Sequence, residues 1–169
     1  LTERYADFGI PEWAWGPIEE SWKRQDPHVY GRFDLRYDGR RPAKLLEYNA
    51  DTPTSLLEAA VVQWYWFQDT APDKRSWDEG GYDQWNSIHE RLVGAWKKRV
   101  AAGQDDLHFA GLLHLVEEAS TLAYLADTAD QAGATTSLFD LSDVGIDTSA
   151  FATGTEGSGV IGDAVYGVN

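Results

Sequence analysis

The sequence contains no cysteine, which excludes disulfides, thiolate metal sites and a cysteine nucleophile, and fits a cytosolic protein. Basic residues are scarce: 14 Lys and Arg stand against 28 Asp and Glu, for a net charge of −14 at pH 7. This balance argues against a nucleic-acid partner, because phosphates require a basic surface. It is compatible with electrostatic steering of a cationic partner. The commoner explanation of such a charge is a solubilising acidic surface.

Long apolar runs are also missing, so no segment reaches the length of a membrane span. The first residues show no signal-peptide pattern, and no membrane partner is expected. The chain opens abruptly at "LTERYADFGIPEW" without an initiator methionine, as expected of a processed product, an excised domain or part of something longer. Aromatic residues are abundant, with 8 Trp, 8 Tyr and 6 Phe available for burial. The 169 residues suffice for one ordinary domain of a soluble globular protein.

An antiparallel hairpin is predicted in "RFDLRYDGRRPAKLLEYNAD", where polar and apolar residues alternate on both sides of a turn at Asp38 and Gly39. The loop between the strands has about six residues. One register separates an apolar face from a polar face. It makes these pairs on the apolar side: Tyr37 with Lys44, Leu35 with Leu46, and Phe33 with Tyr48.

The same register places Asp34 opposite Glu47 and Arg32 opposite Asn49. Like charges directly opposite are destabilising, so the two acids require a cation or a shared proton between them. Carboxylate and amide oxygens are hard ligands suited to Mg²⁺, and a neighbouring arginine suits a transferring phosphoryl group. The alternative is a surface ladder of Arg–Asp and Lys–Glu pairs. That alternative does not explain two facing acids.

Two helices are predicted after the hairpin and a shorter one before it. Thr52 suits a helix cap and Pro53 its first turn, and residues 56–67 are apolar nearly all round, which is typical of a helix buried on most sides. A second helix near 78–102 ends at Gly103. Its apolar stripe consists of Trp85, Ile88, Leu92, Ala95 and Trp96. A shorter helix is predicted at 17–24.

The last third alternates strand, helix and strand: "LHFAGLL", a helix that ends at Gly133, and "ATTSLFDL". This order predicts a βαβ unit with a parallel sheet. Glu117 and Glu118 open the helix, either as favourable first-turn acids or as an anionic site at the carboxyl edge of the sheet. The predicted organisation is a Trp/Pro-rich N-terminal segment (1–29), a hairpin and two-helix region with the predicted magnesium site (30–104), a βαβ unit (105–148) and a Gly-rich tail (149–169).

The stretches "YGRFDLRYDG" and "AKLLEYNADTPTSLLEA" closely resemble the synthetase domain of the glutathionylspermidine synthase family. Further matches follow in the family's order: "QWYWFQD", "DQWNSIHERLV", "LHFA", "EEASTLAYLADTADQAG" and "DVGID". The resemblance implies an α/β fold. It would comprise a Rossmann-like pre-ATP-grasp unit plus the antiparallel hairpin leading into a buried helix, within an ATP-grasp-type synthetase.

Characterised members of that family join the glycine carboxylate of glutathione to an amine of spermidine through an acyl phosphate made with Mg-ATP. The resemblance therefore implies Mg²⁺ and ATP as cofactors, with a glutathione-like peptide carboxylate and an amine or polyamine as partners. It also assigns the residues. Asp34, Glu47 and Asn49 match the Mg²⁺ ligands, Arg32 the arginine at the transferring phosphate, Thr52 and Thr54 the glutathione contacts, and Glu117 and Glu118 the acidic region near the polyamine.

The family is much longer than this chain, and its lysine-bearing nucleotide pocket lies towards the carboxyl terminus. The ATP pocket is therefore expected outside this chain, and the chain alone is expected to be inactive. Two hypotheses remain. The chain is part of an ATP-dependent carboxylate–amine ligase, or it is a non-catalytic structural or interaction module derived from that family and lacking the ATP lobe.

Overall fold

The structure is a computed structural model that describes residues 2–50, 55–71, 81–145 and 164–166. The chain divides into two compact units between residues 28 and 29. The described part of the first unit is residues 2–28, and the other described residues belong to the second. Within these ranges, no helix combines the length and the apolar character needed to cross a membrane.

The first unit contains two helices, α1 (Thr2–Asp7) and α2 (Glu12–Arg24). The turn between them is fixed by the indole N–H of Trp15, which donates to the carbonyl oxygen of Ile10 at 2.8 Å. The helix predicted at 17–24 is present but begins earlier, directly after Pro11. Pro17 was expected in the first turn, which tolerates its missing N–H, yet it lies inside α2.

The second unit contains most of the regular structure. Its elements are β1 (Gly31–Arg36), β2 (Lys44–Ala50), a π-helical segment (Glu58–Val62), α3 (Gln63–Thr70), α4 (Ile88–Ala101), β3 (Asp106–Gly111), α5 (Val116–Asp130), β4 (Thr135–Asp140), a 3-10 turn (Leu141–Asp143) and β5 (Ala164–Tyr166). Strands β1 and β2 form an antiparallel hairpin, as predicted. The other three strands form a sheet in the order β4-β3-β5.

The predicted βαβ unit is confirmed. Strand β3 pairs in parallel with β4, with α5 between them in the chain, and Gly133 adopts a φ of 94° just after the helix. Strand β5 also pairs in parallel with β3, at its other edge. The Gly-rich tail thus supplies a strand, and the remainder of the tail from 149 onwards lies outside the described residues. The result is a mixed α/β fold, as the resemblance implies.

The core of the second unit lies between α4, α5 and β3. The ring of Trp96 is fully buried and meets Phe109 edge-on, with ring centroids 5.7 Å apart. The indole N–H of Trp96 donates to the hydroxyl of Thr128 at 3.0 Å, and that hydroxyl donates to the carbonyl oxygen of Leu125 at 2.7 Å. A buried indole therefore has its one donor satisfied by a buried hydroxyl.

The second predicted helix is shorter than expected. Helix α4 begins at Ile88, because the side chain of Asn86 accepts the backbone N–H of Ile88 and turns the chain into the helix there. Trp85 therefore lies ahead of the helix and is fully exposed, while Leu92 and Trp96 are buried as predicted. Gly103 has a φ of 84° and confirms the predicted stop.

The prediction of a helix buried on most sides is wrong for the part that the structure describes. Leu56 and Ala60 are buried, but α3 buries none of its residues, and Tyr65 and Trp66 are exposed. The prediction for residues 56–67 rested on their hydrophobicity alone. The described part of the chain covers only one side of this segment. The predicted cap at Thr52 and the following Pro53 lie outside the described residues.

Replacing Thr128 with valine should lower the free energy of unfolding by about 1–3 kcal/mol, because the buried indole N–H of Trp96 would lose its acceptor. Denaturant unfolding of the variant measures this loss. Thr135→Val is the matched control, since Thr135 is exposed at the start of β4. Equal stability of the two variants would contradict the assigned role of the Thr128 hydroxyl.

Candidate active site

The predicted register is confirmed at the end of the hairpin that carries the candidate site. Arg32 lies opposite Asn49, and Asp34 lies opposite Glu47. Phe33 lies opposite Tyr48, and their rings pack on each other with centroids 4.5 Å apart. The ring of Tyr48 also covers Gly31, where a Cβ atom would collide with it. This aromatic packing fixes the register that brings the polar side chains together.

The register predicted for the turn end of the hairpin is wrong. Leu35 pairs with Leu45 rather than Leu46, and Lys44 pairs with Arg36 rather than Tyr37, because the register shifts after Asp34. The extra residue in β2 is a β-bulge, a feature that alternation of polar and apolar residues does not reveal. Beyond it, the loop of residues 37–43 is closed by Asp38, whose carboxylate accepts the backbone N–H groups of Arg40 and Arg41 at 2.9 and 2.8 Å.

The cluster is held by direct side-chain contacts. The guanidinium of Arg32 donates from Nε to Oδ1 of Asp34 at 2.9 Å, with a longer contact of 3.5 Å from Nη2 to Oδ2. On the facing strand, the amide of Asn49 donates to the carboxylate of Glu47 at 3.4 Å. Arg32 and Asp34 remain 36% and 35% exposed, so the pair is accessible to a ligand.

Electrostatics favour the ionised form of Asp34. The hydrogen bond from Arg32 lowers the pKa of Asp34 below its ordinary value, and further hydrogen bonds from Glu47 and Asn49 act in the same direction. The hydrogen bond and charge of Asp34 in turn raise the pKa of Arg32. The guanidinium of Arg32 lies beside Asp34 and also interacts with the charge of Glu47, so its positive charge offsets the repulsion between the facing acids.

The side chains of this cluster offer the types of donor atom that Mg²⁺ prefers. Asp34, Glu47 and Asn49 offer carboxylate and amide oxygens from one hairpin, and Mg²⁺ is typically bound by one or two carboxylates with substrate phosphates and waters. In the part of the chain that the structure describes, no group of three or more His, Cys, Asp or Glu side chains could hold a metal. A site with two carboxylates therefore matches a phosphate-completed shell better than a closed protein cage. The assignment of these ligands stays a prediction.

The other predicted site residues lie elsewhere. Thr52 and Thr54 fall outside the described residues. Glu117 and Glu118 open α5, beyond the carboxyl end of β3. The carboxylate of Glu118 accepts the backbone N–H of Leu112 at 2.9 Å, so it orders the loop after β3, whereas Glu117 is exposed.

Asp140 was missed by the sequence reading. It ends β4, and its carboxylate accepts the backbone N–H of Leu113 at 3.2 Å and the hydroxyl of Ser142 at 2.7 Å. The hydrogen bonds from Ser142, with a smaller contribution from the Leu113 N–H, lower the pKa of Asp140. An aspartate next to the last position of the predicted parallel strand is the signal that could have identified it. Together with Glu118, it shapes the carboxyl edge of the sheet.

Comparison with known proteins supports a single family. The sequence model of the glutathionylspermidine synthase preATP-grasp family matches residues 1–158. A putative acid–amine ligase of Haemophilus influenzae is 42% identical over 131 residues, which cover 76% of this chain and 32% of that protein. Trypanothione synthetase of Crithidia fasciculata is 33% identical over 132 residues, covering 78% and 19%.

The bifunctional glutathionylspermidine synthetase/amidase of Escherichia coli is 31% identical over 91 residues, which cover 53% of this chain and 14% of that protein. The chain thus spans about a third or less of the length of these curated relatives. All three carry the name of a ligase or synthetase. The family resemblance read from the sequence is confirmed.

Replacing Arg32 with glutamine should raise the pKa of Asp34 towards its ordinary value, because the strongest hydrogen bond to the carboxylate is lost. Carboxyl-carbon NMR titration measures this pKa. Because the folded-state pKa of Asp34 is lowered, its contribution to stability is present above about pH 4 and is lost as the pH falls through the folded-state pKa.

The matched control is Arg24→Gln, which removes a similar exposed pair with Asp26 in the first unit. That variant should raise the pKa of Asp26 and leave Asp34 unchanged. An unchanged Asp34 titration in the Arg32 variant would show that the contact does not form in solution.

Proposed function

The chain belongs to the glutathionylspermidine synthase preATP-grasp family, a family with ligase members, and on that premise we propose that the protein acts in ATP-dependent acid–amine ligation. The observation that supports this proposal most directly is the pairing of Asp34 with Glu47 beside Arg32. Two facing carboxylates and a guanidinium form the charge pattern needed to hold a metal-bound phosphate.

The proposed reaction has two steps. The peptide carboxylate attacks the γ-phosphorus of ATP, giving an acyl phosphate and ADP. The amine nitrogen then attacks the acyl carbon, the bond from that carbon to the phosphate oxygen breaks, and inorganic phosphate and a proton leave. The net product is an amide bond.

Residues of the hairpin have distinct roles in this proposal. Asp34, Glu47 and Asn49 would hold Mg²⁺, which when bound offsets phosphate charge. Arg32 keeps Asp34 ionised, the form that a cation requires. A planar guanidinium has the fork geometry suited to phosphoryl oxygens.

The rest of the proposed machinery follows the hairpin in the chain. We place a glutathione-like peptide near Thr52 and Thr54, and a polyamine near Glu117, whose exposed carboxylate is available to an ammonium group. Glu118 positions the loop there through Leu112. The βαβ unit is taken as the Rossmann-like pre-ATP-grasp part of an ATP-grasp synthetase, with the nucleotide pocket outside this chain. A cytoplasmic location belongs to the same proposal.

Replacing Glu47 with glutamine should lower the rate of ADP release by at least about a hundredfold, because one of the two carboxylates proposed to hold the Mg²⁺ that offsets phosphate charge is removed. The assay uses the full-length gene product with Mg-ATP, glutathione and spermidine. Asp34→Asn should behave in the same way. An active Glu47→Gln enzyme would contradict the assignment.

Asp38→Asn is the matched control for this assay. Asp38 lies in the same hairpin, and asparagine keeps the side-chain oxygen that accepts the N–H groups of Arg40 and Arg41. Its activity should therefore stay near that of the unaltered protein. A full-length protein that neither binds ATP nor requires Mg²⁺ would instead support the non-catalytic module.

A further inference from the structure

The loop between β3 and α5 (112–115, the β3–α5 loop) lies at the carboxyl edge of the parallel sheet. Open α/β sheets bind their ligands beyond this edge. Within the loop, the backbone N–H of Leu115 donates to the carbonyl oxygen of Leu112 at 2.9 Å, which closes a turn. The loop leads directly into α5, whose second residue is the exposed Glu117. The conformation of the loop therefore helps to set where that carboxylate lies.

Two carboxylates hold consecutive backbone N–H groups of this loop. Glu118, in the first turn of α5, accepts the N–H of Leu112 at 2.9 Å. Asp140, the last residue of β4, accepts the N–H of Leu113 at 3.2 Å. The first contact spans 6 residues of sequence and the second spans 27. The contact of Glu118 thus joins the loop to its own helix, whereas the contact of Asp140 joins it to a different strand.

Asp140 is itself held in a defined position. It pairs with Gly111 at the end of the parallel ladder. Its Oδ1 atom accepts the hydroxyl of Ser142 at 2.7 Å and the backbone N–H of Ser142 at 3.0 Å, which leaves Oδ2 for the N–H of Leu113. The hydroxyl of Ser142, followed by its backbone N–H, lowers the pKa of Asp140 and favours the ionised carboxylate. A hydrogen bond to an ionised acceptor is stronger than one between neutral groups.

Close packing fixes the point where β3 enters the loop. A Cβ atom at Gly111 would lie 2.6 Å from Cδ1 of Leu122 and 3.6 Å from Oε2 of Glu118. Leu122 is buried in the core, where a displaced methyl group would disturb its neighbours. The first residue of the loop is thus held against α5, and Asp140 holds the residue that follows.

We propose that Asp140 is a positioning residue for the amine step of the ligase reaction. This inference rests on the proposed function and adds a residue to it. Asp140 acts through Leu113 on the β3–α5 loop, and through the loop on the position of Glu117. The hairpin that carries the proposed phosphate chemistry belongs to a separate sheet. Loss of the Asp140 contact should therefore impair use of the amine and leave use of ATP and of the peptide unchanged.

Asp140→Ala tests the proposal in the full-length gene product with Mg-ATP, glutathione and spermidine. The KM for spermidine should rise about tenfold, the scale expected for loss of a hydrogen bond to a charged group, while the KM values for ATP and glutathione stay within about twofold. Hydrogen–deuterium exchange, measured by mass spectrometry, should become about tenfold faster at residues 112–115. Asp140→Asn keeps an oxygen that can accept the N–H of Leu113, so it should restore most of both values.

Asp143→Ala is the matched control, because it removes an exposed carboxylate close to the same strand end. It should leave both the exchange at 112–115 and the spermidine KM unchanged. Slow exchange around the buried Leu125 of α5 should persist in every variant, which shows that the fold is intact.

An equal rise of all three KM values, an unchanged spermidine KM, or an equal effect of Asp143→Ala would overturn the role of Asp140. An unaltered full-length protein that forms no amide would instead contradict the proposed function. The exchange at 112–115 would then still confirm or contradict the contact of Asp140 with the loop, independently of any ligase activity.

Discussion

Two carboxyl groups that face each other across an antiparallel pair repel unless positive charge lies between them. The hairpin places Asp34 opposite Glu47, so this constraint applies to them. The guanidinium of Arg32 donates to Asp34, and the side-chain amide of Asn49 donates to Glu47. A sheet used only for structure has no need of such an arrangement, because a threonine pair would stabilise it at lower electrostatic cost. The cation site that we propose for this hairpin rests on this constraint.

The sequence predicted those features that follow from periodicity. Alternation identified β1 and β2, and the strand–helix–strand order identified the parallel pairing around α5. The pairing of Asp34 with Glu47 was likewise accessible, because only one parity separates the polar face from the apolar face. The bulge was not accessible, since one additional residue leaves no trace in the pattern. Asp140 was missed because its role depends on a loop from another strand, which brings the Leu113 N–H to it.

Hydrophobicity predicted the wrong environment for the helix after the hairpin. Leu56 belongs to the core cluster and Ala60 is buried, but Tyr65 and Trp66 are exposed. The hairpin shows the same imbalance, since Phe33 and Leu46 are also exposed. Apolar residues in a sequence indicate a surface that is suited to burial. They do not show which part of a protein covers that surface. The chain covers about a third or less of the length of its curated relatives.

The bulge between the site and the loop has a consequence for how this family can diversify. The irregularity lies directly after Asp34, so the pairs on the site side are fixed by Phe33 and Tyr48, independently of the loop at 37–43. Changes in loop length can be absorbed at the bulge without displacing Arg32 or Glu47. Evolution, or a protein engineer, could therefore vary the tip of the hairpin while keeping the charge arrangement unchanged.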